Sequence, residues 1–328
     1  MTAFTFTHGR HPLTGWETLT LTAEGAPATS ATFTPEVGCN LLSLQVEGQE
    51  YLVDVDTSEG APRILGTPVL YPTPNRVRDG VFSFGGRTFR FPPNNGRNFL
   101  HGLVREERWL CDEPVIGDDH ISVTAHIRLA PDAPAPGPAL YRLFPIANTL
   151  WLTYTLRPGE LGLTFRVSND DPAQELPFGL AIHPYFAVIG ARDEVRLQVP
   201  ATRWMEAHEL LPTGRLLPLD QGPADLTTPT SLASLDLDDV FWGMDPARPA
   251  QIEYLAIGKR VTLLADAFFT HAVVYTPAGR PFFCIENQSC ATDAHNLYAR
   301  GLQNAAHLAI LPPGGALEVS IRLRVSDL

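Results

Sequence analysis

Five places in this sequence set ionisable or hydrogen-bonding side chains inside apolar, strand-like surroundings, where an unpartnered polar group is expensive to bury. Asn75-Arg76 follows Tyr71-Pro72-Thr73-Pro74, so two prolines hold the chain extended before a polar pair. His101 lies in Asn98-Phe99-Leu100-His101-Gly102, and His183 in Leu180-Ala181-Ile182-His183-Pro184-Tyr185-Phe186. Asp238-Asp239 precedes Val240-Phe241-Trp242, and Glu286 follows Phe282-Phe283-Cys284-Ile285. Carboxylates and imidazoles in such settings acquire shifted proton affinities, which is what acid–base chemistry requires. Taken singly, several have ordinary explanations. A histidine beside proline and aromatics is commonly a satisfied core residue, Arg76 near Arg78 and Asp79 reads as a surface ion pair, and Asp238-Asp239 as a turn cap. Glu286 resists this, because a carboxylate buried behind four apolar residues is rare unless paired or functional.

Other chemistries are poorly served. Lys259 is the only lysine, so Schiff-base catalysis has one position at most. Cys39, Cys111, Cys284 and Cys290 form no CxxC spacing and read as free thiols. A metal centre from His101, His183, His271 and Glu286 would need four separate strands, since no two share a close ligand spacing. No metal centre is therefore expected. The formal charge of −12 argues against a phosphate-backbone partner and for a neutral small molecule. Met1–Gly15 lacks a basic start and apolar stretch, and no run of about 18 apolar residues occurs, so a cytoplasmic protein without membrane association is expected.

The elements that must carry these residues are strands. Leu317, Val319, Ile321, Leu323 and Val325 alternate with Glu318, Ser320, Arg322 and Arg324. Ile121–Leu129 alternates likewise, as does 161–167 after a Pro158-Gly159 turn, and both are expected to be successive antiparallel strands. Phe82 and Phe84 face Phe89 and Phe91 across Gly85-Gly86-Arg87-Thr88, a hairpin pattern. Pro131–Pro138 reads as a surface loop rather than a linker. Helical periodicity with caps at both ends is absent, so helices should be few and short. The expectation is an all-β chain, a large antiparallel β-sandwich in a single domain over 1–328.

The order of the motifs resembles the aldose 1-epimerase (galactose mutarotase) family. The match runs from Asn75-Arg76 through Leu100-His101-Gly102, His183-Pro184-Tyr185-Phe186, Leu211-Pro212-Thr213-Gly214 and Asp238-x-x-Phe241 to Glu286. The resemblance implies the family's β-supersandwich and a cofactor-free isomerase that interconverts the α and β anomers of a free hexose such as glucose or galactose. It further implies Glu286 as general base and His183 as general acid, with Arg76, His101 and Asp238 as sugar ligands and Asn75 supporting Arg76 or the sugar. Tyr185, Trp204 and Trp242 are candidates for an apolar wall against the sugar ring. Three departures stand out: Ile182 where many members have Asn, Asp239, which competes with Asp238 for one role, and the run Glu286-Asn287-Gln288-Ser289 followed by Asp293 and Asn296, which suggests a branch away from the galactose enzymes.

Ring opening removes a proton from the C1 hydroxyl and delivers one to the ring oxygen, a task that one carboxylate and one imidazole can share. A hexose-6-phosphate 1-epimerase would keep that pair and add a dianion site, for which Arg78, Arg87, Arg97 and Arg105 are available. A non-catalytic sugar-binding protein is the alternative from another class, and the retained His183 and Glu286 argue against it.

Overall fold

Alternation in the sequence becomes packed antiparallel sheets in the computed structural model, which describes residues 2–57 and 63–328. The largest sheet has ten strands, and its middle runs Ile121–Leu129, Asn148–Arg157, Glu160–Asn169, Ala316–Asp327, Lys259–Ala265 and Ala250–Tyr254, each antiparallel to the next. As the pattern requires, Val319, Ile321, Leu323 and Val325 are buried while Glu318, Arg322 and Arg324 face water. The strands at 121–129 and 160–169 are not neighbours, however. Asn148–Arg157 lies between them, its Trp151 blurring the apolar alternation, and Pro158-Gly159 turns it into Glu160–Asn169.

An eight-stranded sheet carries the candidate site. Across it run Leu211–Leu217, Arg203–His208, Asp238–Trp242, His271–Tyr275, Phe282–Gln288, Ala181–Ile182 and Val69–Leu70, with Tyr185–Ala187 also paired to Phe282–Gln288. One face supplies Phe241, Ala272, Val274, Phe283 and Ile285 to the same core as Ile252, Leu263, Ile321 and Leu323 of the ten-stranded sheet. A five-stranded sheet from Phe4 to Glu50 packs on the same core, where Phe33 stacks on Tyr154 with ring centroids 4.8 Å apart. Burial of these rings and branched chains, each contributing roughly 1.5–3 kcal/mol, holds the layers together.

The hairpin Val81–Phe84/Arg87–Arg90 forms as expected, with a loop of only two residues, Gly85 and Gly86, at φ 56° and 74°. Positive φ at both positions is what a tight hairpin turn needs, so the second strand begins at Arg87, two residues earlier than the phenylalanine spacing suggested, and Phe82 pairs with Phe89 while Phe84 stands opposite Arg87. Among the described residues the α-helices are Gly137–Leu143, Ala294–Ala299 and Gln303–Ala306. The first corrects the reading of Pro131–Pro138 as loop throughout. Gly137 comes so close to Arg128 that an added Cβ would lie 2.3 Å from its carbonyl oxygen, folding the segment back onto its strand. All four thiols are free, with Cys39, Cys284 and Cys290 buried. Among the described residues no helix is long and apolar enough to cross a membrane.

Candidate active site

The outer face of the eight-stranded sheet is where the polar residues meet. Strand register places Asp238, Tyr275, Cys284 and Tyr185 in one row across four strands. Glu286 follows Cys284 by two residues, and period-two alternation turns it to the same face. His183 sits in the short link between Ala181–Ile182 and Tyr185–Ala187, anchored by its backbone N–H donating to the Pro68 carbonyl at 3.0 Å. Its Nε2 lies 3.2 Å from Glu286 Oε1, and both side chains are buried, at 6% and 2% exposure. Tyr185 stacks on His183 with centroids 4.5 Å apart, and His101 meets it edge-on at 5.2 Å.

A second, smaller unit brings Arg76 and His101 to this face. Arg76–Val77 pairs with Phe99–Leu100, Leu100 opposite Arg76, so His101 follows directly beside Arg76. Asn75 holds φ 57° and its Oδ1 accepts from the Arg76 backbone N–H at 2.8 Å and from Nη1 at 3.1 Å. His101 itself has φ 71°, its N–H donating to the Asn75 carbonyl at 2.9 Å. Gly102 turns the chain so closely over Tyr71 that a Cβ would fall 2.3 Å from the Tyr71 carbonyl oxygen. Arg76 Nη2 then reaches to 3.8 Å from Asp238 Oδ2.

Burial sets the proton affinities. It pushes Glu286 well above the usual carboxylate range, reinforced by Asp238 and opposed by the Gln288 amide and the Arg76 guanidinium. It lowers His183 to about 3, helped by Arg63 and Arg105. His183 Nδ1 is buried without a hydrogen-bond partner, and the backbone of His183 itself acts against the lowering. Both shifts favour the pair with imidazole and carboxyl group neutral, and the ionic form holds the same number of protons. Burial also pushes Asp238 up, with Arg76 acting against it, and holds His101 well below the ordinary histidine range.

Asn75, Arg76, His101, His183, Asp238 and Glu286 thus come together from distant parts of the chain. Asp239 faces the other way, accepting from Trp204 Nε1 at 2.9 Å. Trp204 therefore lies across the sheet from the pair and leaves the expected apolar wall. Trp242 is on the right face but stands opposite His271, in the row beyond Glu286, whereas Tyr185 contacts His183 directly. His271 is engaged elsewhere, its Nε2 donating to the Ala305 carbonyl at 3.2 Å. Among the described residues no group of three or more His, Cys, Asp or Glu is arranged to hold a metal ion. Leu211-Pro212-Thr213-Gly214 lies on an edge strand, where proline is tolerated, and Thr213 donates to Glu206 at 2.8 Å.

The four arginines considered for a phosphate do not converge. Arg78 meets Asp293 at 3.5 Å, Arg87 the Pro145 carbonyl and Gln174, Arg97 Asp79 at 2.9 Å, and Arg105 Glu106 at 2.8 Å. Residues assigned no role from the sequence surround the site. Arg63 donates to the Tyr185 hydroxyl at 3.3 Å, and Gln288 Nε2 donates to Glu286 Oε2 at 3.0 Å. Asp293 ties down the Arg76 strand, its N–H donating to the Arg76 carbonyl at 2.8 Å and its Oδ1 accepting from the Arg78 N–H at 3.0 Å. Alternation from Glu286 would have found Gln288. Nothing in the sequence marks Arg63.

A β-sandwich with a buried carboxylate–imidazole pair in the field of an arginine guanidinium is the class of protein that fold and site define. The same architecture occurs in a galactose mutarotase-like protein of Clostridium acetobutylicum, which superposes with TM-score 0.84 at 20% identity over 99% of both chains. The galactose 1-epimerase of Lactobacillus acidophilus superposes with TM-score 0.76 at 16% identity, covering 100% of this chain and 99% of that one. In sequence, an uncharacterised Escherichia coli protein, YihR, is 24% identical over 290 residues, covering 85% of this chain and 86% of its own. Pig galactose mutarotase is 29% identical over 163 residues, 48% of this chain and 44% of that protein, so this match spans under half of the mammalian enzyme. The family model for aldose 1-epimerase matches residues 19–323. The chain belongs to the aldose 1-epimerase family and is an isomerase.

Proposed function

We propose that this protein is a mutarotase that interconverts the α and β anomers of a free hexose such as glucose or galactose, with Glu286 as base and His183 as acid. The observation that carries the reading is the 3.2 Å approach of His183 Nε2 to Glu286 Oε1 in a buried setting. The hydroxyl oxygen that loses a proton and the ring oxygen that gains one are both bonded to C1, so acid and base must be neighbours. Starting from imidazolium and carboxylate, Glu286 takes the C1 hydroxyl proton, the C1–O5 bond breaks, and its electron pair on O5 takes the proton from His183. The pair is left as imidazole and carboxylic acid around an open-chain aldehyde. Rotation about C1–C2 and the reverse transfers close the ring on the other face. Burial favours the neutral pair and Arg76 the carboxylate, so the two forms are brought toward balance, as a reaction run in both directions needs. Arg76, His101 and Asp238 are assigned as ligands to the sugar oxygens, and Asn75 as the support of Arg76.

A second reading, a hexose 6-phosphate as substrate, is favoured by one observation: Arg63 and Arg105 both act electrostatically on His101 and His183. Optical rotation of freshly dissolved α-D-glucose and α-D-galactose, followed to equilibrium with and without enzyme, tests the first reading, and a coupled assay with glucose 6-phosphate the second. Acceleration confined to the phosphate ester selects the second reading, and no acceleration with any of the three overturns both.

A further inference from the structure

Glu286 and Gln288 alternate onto the same face of the strand Phe282–Gln288, every residue of which is buried. The two carboxylate oxygens have separate partners: Oε1 faces His183 Nε2 at 3.2 Å and Oε2 accepts from Gln288 Nε2 at 3.0 Å. Gln288 has no other side-chain engagement of note. Its Oε1 is buried without a hydrogen-bond partner, while its strand neighbours are His271 on one side and Ala181 on the other. A buried amide with one orphaned end is unfavourable, and methionine would fill the same space without that penalty. The amide is thus poorly explained by packing and well explained by its contact with the carboxylate.

We propose that Gln288 is a positioning residue for Glu286, fixing the plane of the carboxylate so that Oε1 points at the reacting hydroxyl and supporting its carboxylate form. The inference rests on Glu286 being the base. A donor aimed at Oε2 keeps Oε1 turned toward His183, the side on which proton transfer takes place, and removes rotation about the last side-chain bond. The hydrogen bond also acts against burial at Glu286. The other groups that act on this carboxylate are His183 from the link after Ala181–Ile182, Arg76 from its short strand and Asp238 from the sheet, with Cys284 and Tyr185 on its own face. His101 stands behind His183. None of these contacts Oε2 as Gln288 does.

The test is kcat/KM for mutarotation as a function of pH in the wild type, Gln288→Met, Gln288→Glu and Glu286→Gln. Because the imidazole–carboxylic acid form of the pair is favoured, losing a hydrogen bond that supports the carboxylate thins the reactive imidazolium–carboxylate form and raises the proton affinity of Glu286 together. Gln288→Met should therefore lower the plateau of kcat/KM about tenfold and move its basic limb to higher pH by about one unit. Gln288→Glu, of the same size, keeps the fold should Met not be tolerated and should move the limb further by placing a second carboxyl group beside the first. A loss of plateau activity with the basic limb unmoved, or unchanged profiles in both variants, overturns the inference. Glu286→Gln separates the two levels: near-wild-type activity removes the base itself, while an inactive Glu286→Gln with an unmoved limb in the Gln288 variants removes only the role of Gln288.

Discussion

If His183 and Glu286 act as one proton-sharing unit, their losses should not multiply. Each group acting in general acid or base catalysis contributes about 10²–10⁴-fold, so Glu286→Gln and His183→Asn should each lower kcat by that factor, equivalent to about 2.7–5.5 kcal/mol of barrier. Independent groups would give a double variant slower by about 10⁴–10⁸-fold. A 3.2 Å contact between the two argues otherwise. Once either member is gone the other has no partner to exchange a proton with, and the double variant should be no more than about tenfold slower than the worse single one. Glu286→Gln preserves shape, since its amide can still accept from Gln288 and approach His183. Initial rates by polarimetry, at equal enzyme and saturating sugar, provide the three ratios. Multiplicative losses in the double variant would refute the shared-proton reasoning, and a single-variant loss under tenfold would refute the assignment of that residue.

Three further outcomes follow from the geometry. Asp238→Asn should raise KM at least tenfold through loss of the carboxylate facing Arg76, while Asp239→Asn, which keeps an acceptor for Trp204, should leave both constants within about twofold; equal effects would contradict the register that separates them. Gly102→Ala should weaken sugar binding in calorimetry, because the new Cβ would collide with the Tyr71 backbone and move His101 next to it; wild-type affinity would show that the turn is less constrained than it looks. Stability should fall as pH drops below about 6.5, because burial holds His271 at about 3 and His295 at about 4. Both are neutral in the fold and protonated in the unfolded chain through that window, so the unfolded state binds more protons and each residue removes up to about 2 kcal/mol of stability by pH 5. A urea midpoint unchanged between pH 7 and pH 5 would count against this.

Much of this architecture was legible because alternation is a local property. Val319, Ile321, Leu323 and Val325 show their buried face directly, and Gly85-Gly86 shows its turn. Asn148–Arg157 was less clear because Trp151, on its wetter face, packs under the Arg166 guanidinium at 4.6 Å rather than joining the core. The candidate site was legible for a different reason: buried polar residues interrupt apolar strands, and Glu286 does so after four such residues. What could not be read was which of Asp238 and Asp239 turns inward, since adjacent strand residues take opposite faces and only the register with Tyr275 and Cys284 decides between them. Arg63 and Asp293 escaped because their roles depend on partners more than a hundred residues away, Tyr185 for one and the Arg76 strand for the other.

The strand Ala316–Asp327 lies between Glu160–Asn169 and Lys259–Ala265, in the interior of the ten-stranded sheet. Translation runs from the N-terminus, so the strands on either side leave the ribosome first and wait with bare edges until residue 327 has emerged. A nascent chain stalled between residues 265 and 316 carries two part-sheets with a strand-wide gap, each edge a template for pairing with another molecule. The ten-stranded sheet is thereby committed to wait for this strand before it closes, and a chaperone that shields strand edges would act on the chain during that interval.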